Sequence, residues 1–243
     1  MKSINNLYQA LLLVLGLSAV FAASAQEALI RKNLGERIAQ LKNIDEVSKT
    51  PIAGLYEVRV NGTDIFYTDS EGNFLIQGSL IDTKQKRNLT DERVEKLSAI
   101  DFDSLPVKDA FTIVRGNGSR KLAVFEDPNC GYCKRFERDL QKVDNVTIHM
   151  FLYPILGADS GEKAKNIWCS KEPGKVWQDW MVRERPFAVT FTAACDVSAI
   201  ARNVALGRKH KISGTPTLLF ADGSRVPGAI GAAQVEKYLA DAK

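Results

Sequence analysis

The sequence has 243 residues, of which 45% are hydrophobic, and this length suits two small domains better than one. Its 33 basic and 29 acidic side chains give a net charge of +4, and the basic residues are spread along the chain without a concentrated patch. This distribution gives no support for nucleic-acid binding.

The chain begins with a segment typical of a secretory signal peptide, residues 1–25. Lys2 supplies a positive charge, Ala10 to Ala22 form an apolar run, and Ala23-Ser24-Ala25 has the small residues of a cleavage site. We therefore expect cleavage after Ala25 and export of the mature chain to a compartment in which disulfides persist. No later stretch is long and apolar enough to cross a bilayer, so stable membrane insertion is not expected.

Residues 26–87 predict a small α+β domain. Apolar residues at helical spacing indicate an amphipathic helix at 28–41. Strands are predicted on both sides of the hairpin signal Asn61-Gly62, and a third at 74–80. Three short strands leave an open edge, and a second copy that adds its strands there would form a symmetric dimer. We expect this homodimer contact around residues 54–60 and 74–80.

Residues 88–106 are predicted to be a helical linker. Thr90 is the candidate N-cap, and Val94 and Leu97 give only a thin apolar stripe. Such a stripe suits a helix that spans solvent between two domains, and it also suits a helix that packs on the second domain. Pro106 marks the entry into that second domain.

The remaining residues, 107–243, alternate between predicted strands and helices. Strands are expected at 111–114, 122–126 and 146–153 and near Thr217 and Arg225, and helices in an insertion at 160–182, at 198–206 and at 233–242. Gly207 is expected to end one of these helices as a C′ glycine. The predicted fold class is therefore α+β.

The motif Cys130-Gly131-Tyr132-Cys133 lies between the predicted strand at 122–126 and a run with helical spacing. Cys130 is therefore expected at or just before the first helical residue, exposed at the helix N-terminus, with Cys133 shielded one turn further on. The unpaired amides and the dipole of a helix N-terminus stabilise a thiolate, which is the nucleophile of disulfide exchange. Lys134 and Arg135 add positive charge that acts in the same direction.

A Cys-X-X-Cys pair also occurs in zinc sites and among structural cysteines. A zinc site needs two further ligands at comparable spacing, and neither the distant Cys169 and Cys195 nor His149 and His210 provide them. We therefore expect no metal and no other cofactor. The 4 cysteines allow more than one pairing, and their spacing alone does not choose among them.

A second motif, Gly214-Thr215-Pro216-Thr217, precedes a hairpin at Asp222-Gly223. With Cys-X-X-Cys at the first helix of the domain, this order resembles the thioredoxin superfamily. The resemblance implies that the Thr215–Pro216 bond is cis. It also implies that both residues lie across from the catalytic sulfurs and offer backbone groups to an extended substrate.

A narrower resemblance rests on Gly131-Tyr132, Ile167-Trp168-Cys169, Cys195-Asp196-Val197 and Val226-Pro227-Gly228 taken together. These motifs are similar to those of the DsbC family of periplasmic disulfide isomerases, and the similarity covers the whole mature chain. It implies a dimerisation domain at 26–87, a helical linker at 88–106 and a thioredoxin-like catalytic domain with a helical insertion at 107–243. The related DsbG proteins have proline in place of Gly131.

The family resemblance also implies roles for individual residues and partners. The implied roles are catalytic for Cys130 and Cys133, substrate-binding for Tyr132, Thr215 and Pro216, and a structural disulfide for Cys169 and Cys195. A second redox pair is the alternative for the last two. The implied partners are misfolded disulfide-containing exported proteins, a second copy of the chain, and a membrane thiol reductase of the DsbD type that keeps the enzyme reduced in the periplasm.

The group that accepts the proton of Cys133 is not identified by the resemblance, because thioredoxin has a buried acid where this chain has Val124. Glu126 lies on the same strand face as Val124 and is a candidate. The alternative is a solvent-exposed carboxylate at the end of the strand.

We interpret the chain as a disulfide isomerase with associated chaperone activity. A dithiol oxidase and a DsbG-like sulfenic-acid reductase remain alternatives within the same chemistry, and the sequence does not give the redox potential that would separate them. A chaperone in which the thiols are secondary is the alternative from another functional class.

Overall fold

The computed structural model of the chain describes residues 25–186, 192 and 194–242. These residues form two compact units, one up to Leu97 and one from Ser98 onward. The predicted signal peptide lies outside the described residues except for its last residue, Ala25. None of the helices described is both long enough and apolar enough to span a bilayer.

The first unit is a helix packed on a small antiparallel sheet. Residues 25–37 are helical (α1), and a 3-10 turn follows at Ala39–Leu41. Four strands pair in the order β1-β2-β3-β4, with bounds Ile44–Lys49, Leu55–Val60, Asp64–Asp69 and Leu75–Ile76. A separate ladder joins β5, Ile81–Asp82, to β6, Arg87–Asn88. The core of this unit consists of Ile30, Leu34, Leu41, Val47, Val58 and Val60.

The sequence did not predict β1, because this strand lacks regular alternation. Ile44 and Val47 are its apolar residues, and they are an odd number of positions apart. The pairing with β2 shifts register between Ile44 and Glu46, which is a bulge that interrupts the period of two. The strand predicted at 74–80 is shorter than expected and pairs only at Leu75–Ile76.

The strand order corrects part of the expected dimer contact. β2, which contains most of the predicted contact at 54–60, lies between β1 and β3. An inner strand has its backbone groups paired on both sides, so it has no open edge to offer to a second copy. The edges of this sheet are β1 and β4.

The helix α2, Leu89–Ser98, is capped and anchored by polar side chains. Asn88 Oδ1 accepts the amide N–H of Asp91 at 3.2 Å, so Asn88 acts as the cap in place of the predicted Thr90. Thr90 is instead buried, and its hydroxyl accepts the Leu80 N–H at 2.7 Å and bonds to the Tyr67 hydroxyl.

Arg93 binds α2 to the first sheet. Its guanidinium lies 2.8 Å from the Glu46 carboxylate on β1 and 3.0 Å from the Glu57 carboxylate on β2. The predicted linker helix therefore packs on the first unit. The sequence had suggested either a helix that spans solvent or one that packs on the second domain, and neither expectation is correct. Hydrophobic patterning could not reveal this placement, because ion pairs rather than an apolar stripe provide the anchor.

The second unit is a five-stranded sheet covered by helices on both faces. Its strands pair in the order β11-β10-β8-β9-β7, with β8 and β9 parallel and the other pairs antiparallel. The strands are Phe111–Arg115 (β7), Arg120–Glu126 (β8), Val146–Leu152 (β9), Thr217–Phe220 (β10) and Arg225–Pro227 (β11). The helices are Gly131–Leu140 (α3), Ala158–Trp168 (α4), Pro173–Met181 (α5), Ser198–Lys209 (α6) and Ala232–Asp241 (α7). This order, with its helical insertion, is the predicted one.

Alternate side chains of β8 enter two cores. Leu122 and Val124 pack with residues of α3, α4, α5 and α7. Ala123 and Phe125 pack on the opposite face of the sheet. Because strand side chains alternate, Glu126 points to the same side as Leu122 and Val124, toward α3.

The structure contradicts the expected role of Gly207 as a helix terminator. The helix α6 continues through Gly207 to Lys209. A Cβ at this position would lie 2.4 Å from Cε2 of Tyr153, so the aromatic ring occupies the space that a side chain would need. Close packing, rather than helix termination, explains the glycine.

Candidate active site

The turn between β8 and α3 holds the Cys-X-X-Cys motif. Cys130 has extended backbone angles, φ −75° and ψ 117°, and is the N-cap residue of α3. Its Sγ accepts the amide N–H of Cys133 at 3.3 Å, and its carbonyl accepts the N–H of Lys134 at 3.1 Å. Cys130 thus lies just before the first helical residue, as predicted, and its sulfur replaces the side-chain oxygen of an ordinary cap.

This geometry favours the thiolate at Cys130. The hydrogen bond from the Cys133 side chain lowers the pKa of Cys130 most, burial opposes it, and hydrogen bonds from Thr215 and from nearby backbone amides lower it further. The resulting pKa of Cys130 is about 6. At neutral pH the sulfur is therefore mostly ionised and nucleophilic. Hydrogen bonds lead this shift, in agreement with the stabilising role expected of the unpaired amides, whereas the added charges of Lys134 and Arg135 are not among its causes.

Cys133 has the opposite properties. Its side chain is fully buried in the core between α3 and the sheet. Burial raises the pKa of Cys133, and its hydrogen bond to Cys130 and the charge of Glu126 raise it further. Cys133 therefore stays protonated under conditions in which Cys130 is ionised, and the two thiols are chemically distinct.

The loop before β10 covers the sulfur of Cys130. The Thr215–Pro216 peptide bond is cis, as the resemblance implied. In its protonated form the Cys130 thiol donates to the Thr215 carbonyl oxygen at 3.2 Å, and the Pro216 carbonyl accepts the N–H of Gly228 at 2.8 Å. Cys130 is only 5% exposed, so the expectation of an exposed cysteine is wrong, because Thr215 packs over its sulfur.

Apolar side chains are exposed next to the motif. Tyr132, within the motif, is 69% exposed, and Ile155 and Leu156 are also exposed. The amides of Ile155 and Leu156 donate to the carboxylate of Asp127 at 2.8 and 2.9 Å, which holds them beside the turn. The buried Asp127 also accepts the hydroxyl of Ser160 at 2.8 Å. From the sequence, Asp127 was expected only to oppose the thiolate by its charge, and its positioning role was not foreseen, although its place between a buried strand and a Cys-X-X-Cys motif was a usable signal.

Trp180 on α5 fastens the same turn from the other side. Its indole N–H donates to the Pro128 carbonyl oxygen at 2.6 Å, and its ring centroid lies 4.4 Å from Nζ of Lys134. This cation–π contact draws the ammonium group over the aromatic face. Trp180 is half-buried and packs against the core of the second unit while it contacts the motif turn.

Comparisons with known proteins decide the family. Residues 107–243 match the model of a thioredoxin-like domain, and residues 21–91 match that of the disulfide bond isomerase protein N-terminal domain. A Bordetella parapertussis protein named "Probable thiol:disulfide interchange protein DsbC" is 44% identical over 219 residues, which cover 90% of this chain and 76% of the relative. The chain belongs to the DsbC family.

Two further matches agree with DsbC membership. The thiol:disulfide interchange protein DsbC of Escherichia coli K12 is 28% identical over 224 residues, which cover 89% of each chain. The crystal structure of a disulfide interchange protein from Neisseria gonorrhoeae is 37% identical with a TM-score of 0.53, covering 56% of this chain and 97% of the other. As a member of the DsbC family, the chain is a disulfide isomerase, an oxidoreductase that acts on thiols and disulfides.

The two remaining cysteines of this DsbC-family chain are bonded to each other. Cys169, which follows α4, and Cys195, which precedes α6, form a disulfide with a Cα–Cα distance of 6.0 Å. Cys130 and Cys133 are free thiols. This pairing agrees with the one that the resemblance implied. In the described part of the chain, no group of three or more His, Cys, Asp and Glu side chains is arranged to hold a metal ion.

Glu126 and Glu137 lie in the core beside Cys133. Both side chains are fully buried, which contradicts the alternative of an exposed carboxylate at the end of β8. Glu137 Oε1 accepts the indole N–H of Trp177 at 2.8 Å. The sequence reasoning missed Glu137, because a charged residue on a helix is ordinarily exposed.

Proposed function

We propose that this member of the DsbC family is a periplasmic protein disulfide isomerase whose reactive groups are Cys130 and Cys133. The Cys130 thiolate attacks an incorrect disulfide of a client protein and forms a mixed disulfide with one client sulfur. A client thiol then displaces Cys130 and leaves a rearranged client. Alternatively, Cys133 displaces the client sulfur and leaves a reduced client and an oxidised enzyme.

The observation that carries this proposal is the contrast between the two thiols. Cys130 has a pKa of about 6, and Cys133 is buried and has a raised pKa. In such a pair the thiolate attacks the client disulfide first, and the protonated thiol resolves the mixed disulfide later. The delay leaves time for a client thiol to complete the isomerisation.

We assign substrate contacts to Tyr132, Thr215 and Pro216. Tyr132 presents an exposed ring beside Cys130. Thr215 touches the Cys130 sulfur through its carbonyl, so an extended client segment that reaches this sulfur passes along the Thr215–Pro216 backbone. Exposed apolar groups in this position suit an unfolded client, which supports the associated chaperone activity.

We further propose that residues 26–87 form a dimerisation domain, joined through a linker at 88–106 to the catalytic domain at 107–243. Phe74 is 71% exposed and Ile76 is 51% exposed, next to and within the edge strand β4. A second copy that pairs at this edge would cover these apolar side chains and the open backbone groups together. The resulting homodimer would present two catalytic domains to one client.

The proposed location and partners follow from the chemistry. The signal peptide at 1–25 directs the chain to the periplasm, an oxidising space. An isomerase must remain reduced there, so we propose that a membrane thiol reductase of the DsbD type donates electrons to the Cys130–Cys133 disulfide. Misfolded exported proteins with disulfides are the proposed clients, and Cys169–Cys195 is proposed to be structural.

A refolding assay tests this function. A reporter enzyme with scrambled disulfides should regain activity in the presence of the reduced wild-type protein. The Cys130→Ala variant should lose this activity while still suppressing client aggregation without redox reagents. Cys133→Ala should retain part of the isomerisation and accumulate mixed disulfides on Cys130. Equal isomerisation by wild type and Cys130→Ala would refute the proposal, and it would favour a chaperone in which the thiols are secondary.

A further inference from the structure

Two buried carboxyl groups next to Cys133 have no role in the steps above. Glu126 ends β8 and points toward α3, because Leu122 and Val124 on the same strand face pack in the core that contains Cys133. Glu137 lies one helical turn after Cys133, so these two side chains share one face of α3. Glu126 interacts electrostatically with Glu137 and with both cysteines.

The carboxyl oxygens of this pair are largely without partners. Glu137 Oε1 accepts the Trp177 indole N–H, but no other described residue donates a hydrogen bond to Glu137 Oε2 or to either oxygen of Glu126. These oxygens can hydrogen-bond only within the pair, when one of the two carboxyl groups carries a proton. A buried polar atom without a partner destabilises the fold. The pair is therefore better explained by chemistry than by stability.

The surroundings of the pair permit only partial ionisation. The groups that act on it are Arg115 from β7, Trp177 from α5, Cys133 from α3 and Cys130 from the motif turn. Burial raises the pKa of both glutamates, and the charge of Glu137 raises the pKa of Glu126 further. Two adjacent buried carboxyl groups cannot both ionise readily. The Trp177 hydrogen bond and the charge of Arg115 favour the ionised form of Glu137, so in the singly ionised pair Glu126 holds the proton, Glu137 holds the charge, and the pair can accept one further proton.

We propose that the Glu126–Glu137 pair accepts the proton of Cys133 when Cys133 resolves the mixed disulfide. The proposal rests on the roles assigned above to Cys130 and Cys133. Cys133 is fully buried, so its proton has no direct route to solvent, and Glu126, which acts electrostatically on Cys133, links it to the carboxylate of Glu137 inside the core.

The step balances without an added reagent. Cys133 Sγ attacks Cys130 Sγ, the bond between Cys130 and the client sulfur breaks, and the client leaves as a thiolate. The proton of Cys133 moves to the carboxylate of the pair. The two protein thiols lose two electrons, and the client disulfide gains them. When an external dithiol later reduces the Cys130–Cys133 disulfide, the pair returns the proton to Cys133.

An aromatic disulfide with a coloured thiol leaving group separates the two thiol reactions in the reduced full-length protein. Attack by Cys130 releases the first coloured thiol, and attack by Cys133 on the resulting mixed disulfide releases the second. Glu126→Gln preserves the size of the side chain and removes the ionisable group. We expect it to slow the second release by roughly 100-fold, the usual contribution of a general base, and to change its pH profile. The first release should change by only a few-fold.

Two further variants complete the experiment. Glu137→Gln keeps an acceptor for the Trp177 N–H and removes the second carboxylate, so it should also slow the second release. Glu162→Gln on α4 alters a carboxylate whose partner is Lys165 at 2.8 Å, and it should leave both releases unchanged.

The outcomes separate this inference from the proposed function. A second release in Glu126→Gln with the wild-type rate and pH profile overturns the proton-acceptor role. Absence of the first release in the wild-type protein instead contradicts the role of Cys130. If Glu126→Gln does not fold, the second release in Glu137→Gln tests the proton-acceptor role instead. An unchanged rate and pH profile of that release in Glu137→Gln also overturns the inference.

Discussion

The amide N–H of Cys133 points at the sulfur of Cys130 across 3.3 Å, so the helix that carries the motif is capped by its own proposed nucleophile. The same hydrogen bond satisfies a free amide of the first helical turn and stabilises negative charge on the sulfur. One hydrogen bond therefore both stabilises the turn between β8 and α3 and activates Cys130.

The first prediction concerns the pH dependence of Cys130. Alkylation by iodoacetamide requires the thiolate, so its rate should rise with pH, reach half of its maximum at about pH 6 and level off about one pH unit higher. Cys133→Ala removes the hydrogen bond that lowers the pKa of Cys130 most, so the profile should move to higher pH. Mass spectrometry of the labelled protein measures both profiles. Superimposable profiles would contradict the origin assigned to the shift.

The second prediction concerns the Cys169–Cys195 disulfide. It joins residues 26 positions apart, and the chain-entropy estimate for such a loop is about 3–4 kcal/mol of stabilisation. The double variant to alanine should unfold at a lower denaturant concentration, while Cys130 keeps its alkylation rate. Mild reduction that opens Cys130–Cys133 should leave this bond closed. Loss of isomerase chemistry in a folded double variant would show that the bond is not purely structural.

The third prediction concerns two helical glycines. Gly207→Ala places a Cβ against the Tyr153 ring, 2.4 Å from Cε2, and overpacking of this kind costs about 1–3 kcal/mol. A Cβ added at Gly161 on α4 would have no atom within 4 Å, so Gly161→Ala should stabilise the protein by about 0.5–1 kcal/mol. Chemical denaturation measures both. Equal effects of the two substitutions would contradict the packing explanation for Gly207.

The fourth prediction concerns the edge of the first sheet. Phe74 is 71% exposed beside β4, and Phe74→Glu would place a charge in the proposed dimer contact. Sedimentation should show a dimer for the wild type and a shift toward monomer for the variant. Val114→Glu is the control, because Val114 is a 60% exposed apolar residue of the second unit. A monomeric wild-type protein at micromolar concentration would defeat the proposal directly.

The second unit was predicted well from the sequence, because its signals are local. The buried run of β8, the helical spacing after Cys133 and the hairpin at Asp222-Gly223 each reflect a short stretch of chain. Cys130 was placed correctly just before α3 for the same reason. The exposure of Cys130 was predicted wrongly. Thr215 covers its sulfur, and Thr215 comes from a loop distant in sequence.

The features that sequence reasoning missed depend on contacts between distant segments. Gly207 resembles a helix stop until the ring of Tyr153 is seen against it. In its local sequence Glu137 looks like a surface residue, because nothing nearby in the chain indicates that Trp177, from another helix, packs against it. The bulge in β1 hides that strand from any test of alternation. In each case tertiary packing overrides the local pattern.

The redox state of Cys130 and Cys133 in the native compartment tests the central claim most directly. Rapid acid quenching followed by alkylation with a mass-tagged reagent separates the reduced from the oxidised protein, and Cys133→Ala serves as a reference that cannot form this disulfide. We predict that the pair is largely reduced, because an isomerase needs the free Cys130 thiolate to begin each cycle. A pair that is largely oxidised would contradict the isomerase assignment and identify a dithiol oxidase.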